Sequence, residues 1–416
     1  MTDENKPDSQ TQLILEGHLA DTTSLRKKIK GARFNIGYVA LDIALREDGS
    51  FIDPESKEGY GIDTKITVEG YHKLSAMINE AKRRIETKPS YTRFDGIKIL
   101  RAIDGIIRDA GYKVSHGNGS KFFETGFETN GLSCLDYTLI CISIAETLGL
   151  PLRAINAPRH ILVRWDAENE EPIYWDHTLS EDGGNDVRKT DLMKLFNIAP
   201  ESVREGLLLN PLSREQIAAR LYMNRGRYRE EHGDITIARS DYDITVELDP
   251  KYSDAHLNIG NIYFKEGEDY NQAIDCYNAA IDLNPRNGTA YIMRAMCSAV
   301  THNFKEAFED ISKAISLIRD TPICCAQGEL SIAYSNKAAI HIMKGDLKAA
   351  VRDYSKAIEL NPEFAGFYEC RGNIFQNLGM EKKAREDFST WLRLSKVELQ
   401  KFDVIPVHFD SSQGRR

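Results

Sequence analysis

Cys134 is one of seven cysteines in a chain of 416 residues, and it sits where a thiol could act as a nucleophile. In "NGLSCLDYTLICISIAETLGL", residues 130–150, it falls in the first turn of a predicted helix. Asn130 or Ser133 can cap that helix, and Gly149 and Pro151 stop it. The first turn of a helix carries unpaired amides and a partial positive charge, which favours thiolate over thiol. Thiolate chemistry also needs a base to carry the proton and a carboxylate to fix the base's tautomer. His160 and Asp176 follow in the order that would supply both. The reaction such a set performs is acyl transfer through a thioester, to water or to an amine.

These residues must be brought together by the elements that carry them. "HILVRW" alternates as a strand does, and "PIYWDH" is short and rich in aromatics. "DAENEE" between them reads as a solvated hairpin loop. With that loop centred on Ala167–Asn169, His160 faces Asp176 or His177, and residues opposite one another share a face. Upstream, "TVEGYHKLSAMINEAKRRI" and "RFDGIKILRAIDGIIRDAGY" have helical spacing. Cys141, two turns inside the cysteine helix, is a packing residue, and Trp165 and Trp175 pack the sheet. His72, His256 and His341 show no partner pattern. "GNGSK" echoes a phosphate loop, but its spacing is wrong and no apolar strand precedes it.

The second half of the chain repeats itself. A small residue recurs at Gly226, Gly260, Ala295, Ala338 and Gly372, and a second at Ala238, Ala273, Ala307, Ala350 and Ala384. A third position follows at Thr245, Ala280, Ala314, Ala357 and Trp391, and Pro250, Pro285 and Pro362 end three copies. Small residues let two antiparallel helices approach closely, and proline stops the second. One longer interval, around "RDTPICCAQGEL", marks an insertion. Trp391 makes the last copy an atypical cap. The pattern resembles the tetratricopeptide repeat, five copies over residues 216–397. The resemblance implies a superhelix whose groove holds a protein or peptide partner. In that family Asn224, Asn258 and Asn336 fall at one groove-lining phase, and Arg227, Asn261 and Asn373 at another. An asparagine can both donate to and accept from a peptide backbone. Met223 stands where the lysine of a carboxylate clamp would be.

Bulk properties narrow the function classes. Net charge is -9, which argues against a general nucleic-acid binder. "LRKKIKGAR" is the local exception and reads as a solvated helix face. No run reaches the length of a membrane span, and "MTDENKPDSQTQ" lacks the features of a signal peptide, so a cytoplasmic location is expected. An odd, irregular cysteine set fits a reducing compartment. No CxxC occurs, so no structural zinc site is expected, and nothing in the sequence suggests another metal or a bound cofactor. Adjacent Cys324 and Cys325 read as small apolar helix residues.

"GLSCLDYTLICISIAETLGLPLRAINAPRHILVRWD" with "YWDHT" resembles the core of the transglutaminase-like superfamily, in the bacterial form that carries C-terminal tetratricopeptide repeats. The resemblance implies an α+β, papain-like fold with helices around a small antiparallel sheet, followed by the all-α repeat superhelix. It maps the nucleophile to Cys134, the base to His160 and the orienting acid to Asp176. Where many active members have glycine before the cysteine, this chain has Ser133. The expected organisation is an unassigned segment 1–64, a transglutaminase-like domain 65–210, repeats 216–397 and a tail 398–416. The expected function is a cysteine-dependent peptidase, amidase or transglutaminase-type enzyme whose repeats recruit its partner. The alternative is an inactive domain of the same fold within a protein-interaction scaffold.

Overall fold

A computed structural model of the chain describes residues 35–37, 40, 64–88, 90–114, 131–157, 160–178, 184–196, 198, 200–204, 208–267, 269–319 and 326–402. "LRKKIKGAR", "GNGSK", Asn130 as a cap, the Cys324–Cys325 pair and the tail from 403 lie outside the described residues. The chain divides into two compact units, Met1–Ala255 and His256–Arg416.

The first unit is a three-layer α+β arrangement followed by one helix pair. Its elements are α1 (Thr64–Arg84), α2 (Arg93–Asp109), a short parallel pair β1 (Lys113–Val114) and β2 (Gly131–Leu132), and α3 (Cys134–Leu148). Then come β3 (Leu152–Ala157), β4 (His160–Trp165), β5 (Ile173–Asp176) and β6 (Asn185–Val187), antiparallel in that order. The helices α4 (Lys189–Leu195), α5 (Pro200–Arg204), α6 (Arg214–Glu231) and α7 (Ile235–Leu248) complete the unit.

Local chemistry fixes the ends of α3. Ser133 and Asp136 form a reciprocal capping box, and Gly149 closes the helix at φ +66, a conformation glycine adopts without strain. Between them Leu135 to Ala145 are all buried, as expected of a helix apolar on every side. Alternation in the sheet feeds two cores. Ala154, Ile161, Val163, Trp165, Ile173 and Trp175 pack with α1, α2 and α3. Ile155, Ala157, Leu162 and Tyr174 pack with Leu192, Ile198 and Leu209. Both faces are therefore covered. Strands β3 and β6 add to the two strands expected from the sequence. Ile217, Ala218, Leu221 and Tyr222 of α6 belong to the α1–α3 core, so the first repeat is built into this unit.

The repeats are five helix pairs. They are α6 with α7, α8 (Ser253–Glu266) with α9 (Tyr270–Leu283), α10 (Gly288–Val300) with α11 (Phe304–Arg319), α12 (Ala326–Lys344) with α13 (Leu347–Leu360), and α14 (Ala365–Asn377) with α15 (Glu381–Phe402). The recurrent alanines Ala238, Ala273, Ala307 and Ala350 are fully buried, as close helix packing requires. The described part of the insertion expected around 319–330 is helical. α12 starts more than a turn earlier relative to Ala338 than α8 does relative to Gly260, and α11 runs on to Arg319.

The repeats share one further feature. A basic residue just before the small position pairs with an aspartate sixteen residues on. The pairs are Arg225–Asp241, Arg294–Asp310 and Arg371–Asp387, all within 2.9 Å, and Lys337–Asp353 at 3.7 Å. Three are two-pronged guanidinium–carboxylate forks, the stronger geometry. Arg294 also donates to Asn278 at 2.7 Å and Arg371 to Ser355 at 2.9 Å, each a residue of the preceding repeat. The second repeat is one residue longer between the two positions, and has Ile259 at the first and Cys276, three residues after Ala273, at the second.

Candidate active site

Cys134 is the first residue of α3 and is half-buried. The capping box occupies the amides of Ser133 and Asp136. The Cys134 amide stands at the first helical position, where no intrahelical acceptor exists. It is the natural first donor to an oxyanion formed on a carbonyl attacked by the thiol.

His160 opens β4 and Asp176 closes β5. The Nε2 of His160 lies 3.0 Å from Asp176 Oδ2, and the Cys134 thiol is close enough to the ring to help raise its pKa. Asp176 is fully buried, and its Oδ1 accepts from the Thr178 amide at 2.9 Å and the Thr178 hydroxyl at 2.7 Å. The structure thus brings Cys134, His160 and Asp176 near one another, with His160 hydrogen-bonded to Asp176.

Electrostatics follow from that geometry. Burial opposes a charged His160, but the bonds to Asp176 and Cys134, and their charges, outweigh it and raise its pKa to about 9. Burial also opposes ionised Asp176, yet the His160 contacts and the Thr178 bonds hold it at about 2.

His177, the competing candidate, points the other way. It is fully buried, stacks on Tyr137 with ring centroids 3.8 Å apart, and neither ring nitrogen has a hydrogen-bond partner. Burial drives its pKa down to about 3, so it stays neutral. Strand alternation accounts for the split, since neighbours on a strand face opposite sides. The β4–β5 register also differs from expectation. Val163 pairs with Trp175 and Trp165 with Ile173, so His160 meets Asp176 on the diagonal and not rung to rung.

Three residues near the site were not anticipated. Phe196 stacks on the His160 ring at 5.3 Å, and the His160 side chain is only 10% exposed. Asp104 and Tyr137 lie beneath the other face of the sheet, joined by a short hydrogen bond from the Tyr137 hydroxyl. Helical spacing does not single out Asp104, and its partners are set by tertiary contact. Cys141 is fully buried, and burial raises its thiol well above the ordinary range, as a packing residue requires.

The groove candidates are scattered along the first helices of the repeats. Arg227 lies 3.8 Å from Asp254, Asn261 accepts from the Tyr277 hydroxyl at 3.0 Å, and Asn336 donates to the Ile332 carbonyl at 2.9 Å. Asn224 and Asn258 are half-buried, and Asn373 is exposed. Among the described residues there is no cluster of three or more metal-ligating side chains and no helix long and apolar enough to cross a membrane.

Residues 137–223 match the transglutaminase-like superfamily, a span that holds His160 and Asp176 and begins just after Cys134. Residues 223–269, 253–287 and 340–379 match the tetratricopeptide repeat. The chain therefore carries a transglutaminase-like domain followed by tetratricopeptide repeats. Tetratricopeptide repeat protein 6 of Homo sapiens is 29% identical over 41% of this chain and 32% of its own length. Hsp70-Hsp90 organizing protein of Triticum aestivum is 26% identical over 36% of this chain and 26% of its own. The chain spans about a third or less of the length of these curated relatives. Among solved structures, BtubC of P. vanneervenii is 14% identical over 48% of this chain and 85% of its own, with a TM-score of 0.39, too slight a likeness to bear on function.

Proposed function

We propose that the chain is a cysteine-dependent acyl-transfer enzyme whose repeats hold a protein or peptide partner. The observation that carries this reading is the placement of His160, hydrogen-bonded to Asp176 through Nε2 and next to the Cys134 thiol. The Cys134 thiolate attacks an amide carbonyl carbon, and the carbonyl oxygen takes up the negative charge near the Cys134 amide. The C–N bond breaks as His160 gives its proton to the leaving amine. A thioester remains on Cys134. Water or a second amine, losing its proton to His160, then releases the acyl group and restores the thiolate. The half-buried asparagines of the repeats support a peptide backbone as the partner's recognised feature.

The test uses p-nitrophenyl acetate as acyl donor. A burst of one p-nitrophenolate per chain, with an acetyl mass on Cys134, is the expected result. A burst that persists in Cys134→Ala, or no acylation of Cys134 at all, would contradict it.

The cover on the site favours a second reading. Phe196 stacks over His160, so a transglutaminase-like body serving only as a rigid part of a repeat scaffold is the alternative. It requires that Cys134→Ala leave cellular function intact.

A further inference from the structure

Asp104 is a carboxylate on α2, 2% exposed, at a depth where an unsatisfied charge would cost several kcal/mol. Its three hydrogen-bond donors all lie outside its own helix. The Tyr137 hydroxyl donates to Oδ1. The Trp175 indole donates to Oδ2 at 3.1 Å, and the Gly184 amide donates to the same oxygen at 2.7 Å. These three donors belong to three pieces of the site's frame. Tyr137 lies on α3, three residues beyond Cys134. Trp175 immediately precedes Asp176. Gly184 leads into β6, which pairs with β5.

A second contact closes the arrangement. Tyr137, held by Asp104, stacks on His177, the residue after Asp176. Both sequence neighbours of Asp176 are therefore held on the α3 side of the sheet, one by hydrogen bond and one by stacking. Strand alternation then leaves Asp176 only the opposite face, where it meets His160. Gly184 is required for the close approach, since a Cβ there would lie 1.9 Å from the Trp175 Nε1.

We propose that Asp104 is a positioning residue for the site: its carboxylate fixes α3 against β5 and so sets the Cys134–His160–Asp176 geometry. The proposal rests on the reading of those three residues as the reacting groups. Asparagine is the informative replacement. It keeps the volume but offers one acceptor oxygen and an NH2 group, so a donor would face one of the three donors it must satisfy.

The experiment is an NMR titration of the His160 ring in the full chain, run beside thermal melting and iodoacetamide labelling of Cys134. The proteins are wild type, Asp104→Asn and Tyr137→Phe. Wild-type His160 is expected to titrate near 9. In Asp104→Asn the value falls by about one unit or more, as the Asp176 contact loosens, and Cys134 labelling slows. Tyr137→Phe keeps the stack and shifts the value less, in the same direction. A purely structural role would lower the melting temperature of Asp104→Asn and leave the titration where it was, and that result overturns the proposal. Should Asp104→Asn fail to fold, an unshifted Tyr137→Phe overturns it equally. A wild-type His160 titrating near 6.5 would overturn the ion-paired site and this proposal with it. Loss of the acyl-transfer reading alone, with the shift intact, would leave the positioning role standing.

Discussion

His160 reaches Asp176 across a diagonal of the β4–β5 pair, with 3.0 Å between Nε2 and Oδ2, and Thr178 holds the other carboxylate oxygen. One strand residue further along, the same chain buries a neutral histidine. The two histidine sites therefore respond to pH in opposite ways.

The His160–Asp176 pair should stabilise the fold over a defined window. His160 has a raised pKa, so its contribution is full below 6.5 and is lost as pH rises through about 9. Asp176 has a depressed one, so its contribution is full above 3.8 and is lost as pH falls through about 2. Urea unfolding of wild type and His160→Gln from pH 5 to 10 measures the difference. The stability gap should be constant up to about 6.5 and should shrink above it.

His177 sets the acid edge. Its folded pKa lies below the ordinary value, so the unfolded chain takes up a proton first as pH drops below 6.5. Stability should decline from there towards about 3. His177→Phe keeps a ring against Tyr137 and removes the proton uptake. Its acid unfolding midpoint should lie at lower pH than that of wild type, and an unchanged midpoint would count against the assignment.

The paired cations of the repeats make an internal comparison possible. Arg294→Ile leaves Asp310 without its fork and should destabilise by about 1–3 kcal/mol. The second repeat already carries Ile259 and Cys276 at these positions. Arg294→Ile with Asp310→Cys should therefore recover much of the loss in a denaturant titration. A double variant no more stable than the single one would show that the ion pair is not the source.

Two glycines inside helices should respond with opposite signs. At Gly105 in α2 an added Cβ meets nothing within 4 Å, so Gly105→Ala should stabilise by about 0.5–1 kcal/mol through backbone entropy. At Gly260 in α8 the Cβ would lie 2.6 Å from the Tyr277 ring, and the overlap should outweigh that gain. Melting temperatures of the two variants decide it.

The legible parts of this molecule were those set by local chemistry. Ser133 and Gly149 fix α3 from within a few residues, so the start of the cysteine helix could be read directly. The repeats were legible because small residues recur at a period. Strand β3 was missed because "LRAINA" interleaves arginine and asparagine among apolar residues that serve both cores. The contest between Asp176 and His177 could not be decided without the β4–β5 register. Phe196 and Asp104 reach the site only through tertiary contact, and no spacing in the sequence announces either. The Arg–Asp pairs were readable in principle, since each partner keeps a fixed offset from the recurrent small residues.

The central claim is that His160 and Asp176 activate Cys134, and alkylation tests it most directly. Wild type and His160→Ala are treated with iodoacetamide at pH 7, and each of the seven cysteines is followed by mass spectrometry. Cys134 should label fastest, and its rate should fall at least roughly tenfold in His160→Ala. Labelling of Cys134 no faster than that of the other accessible thiols, and unchanged by the substitution, would contradict the account.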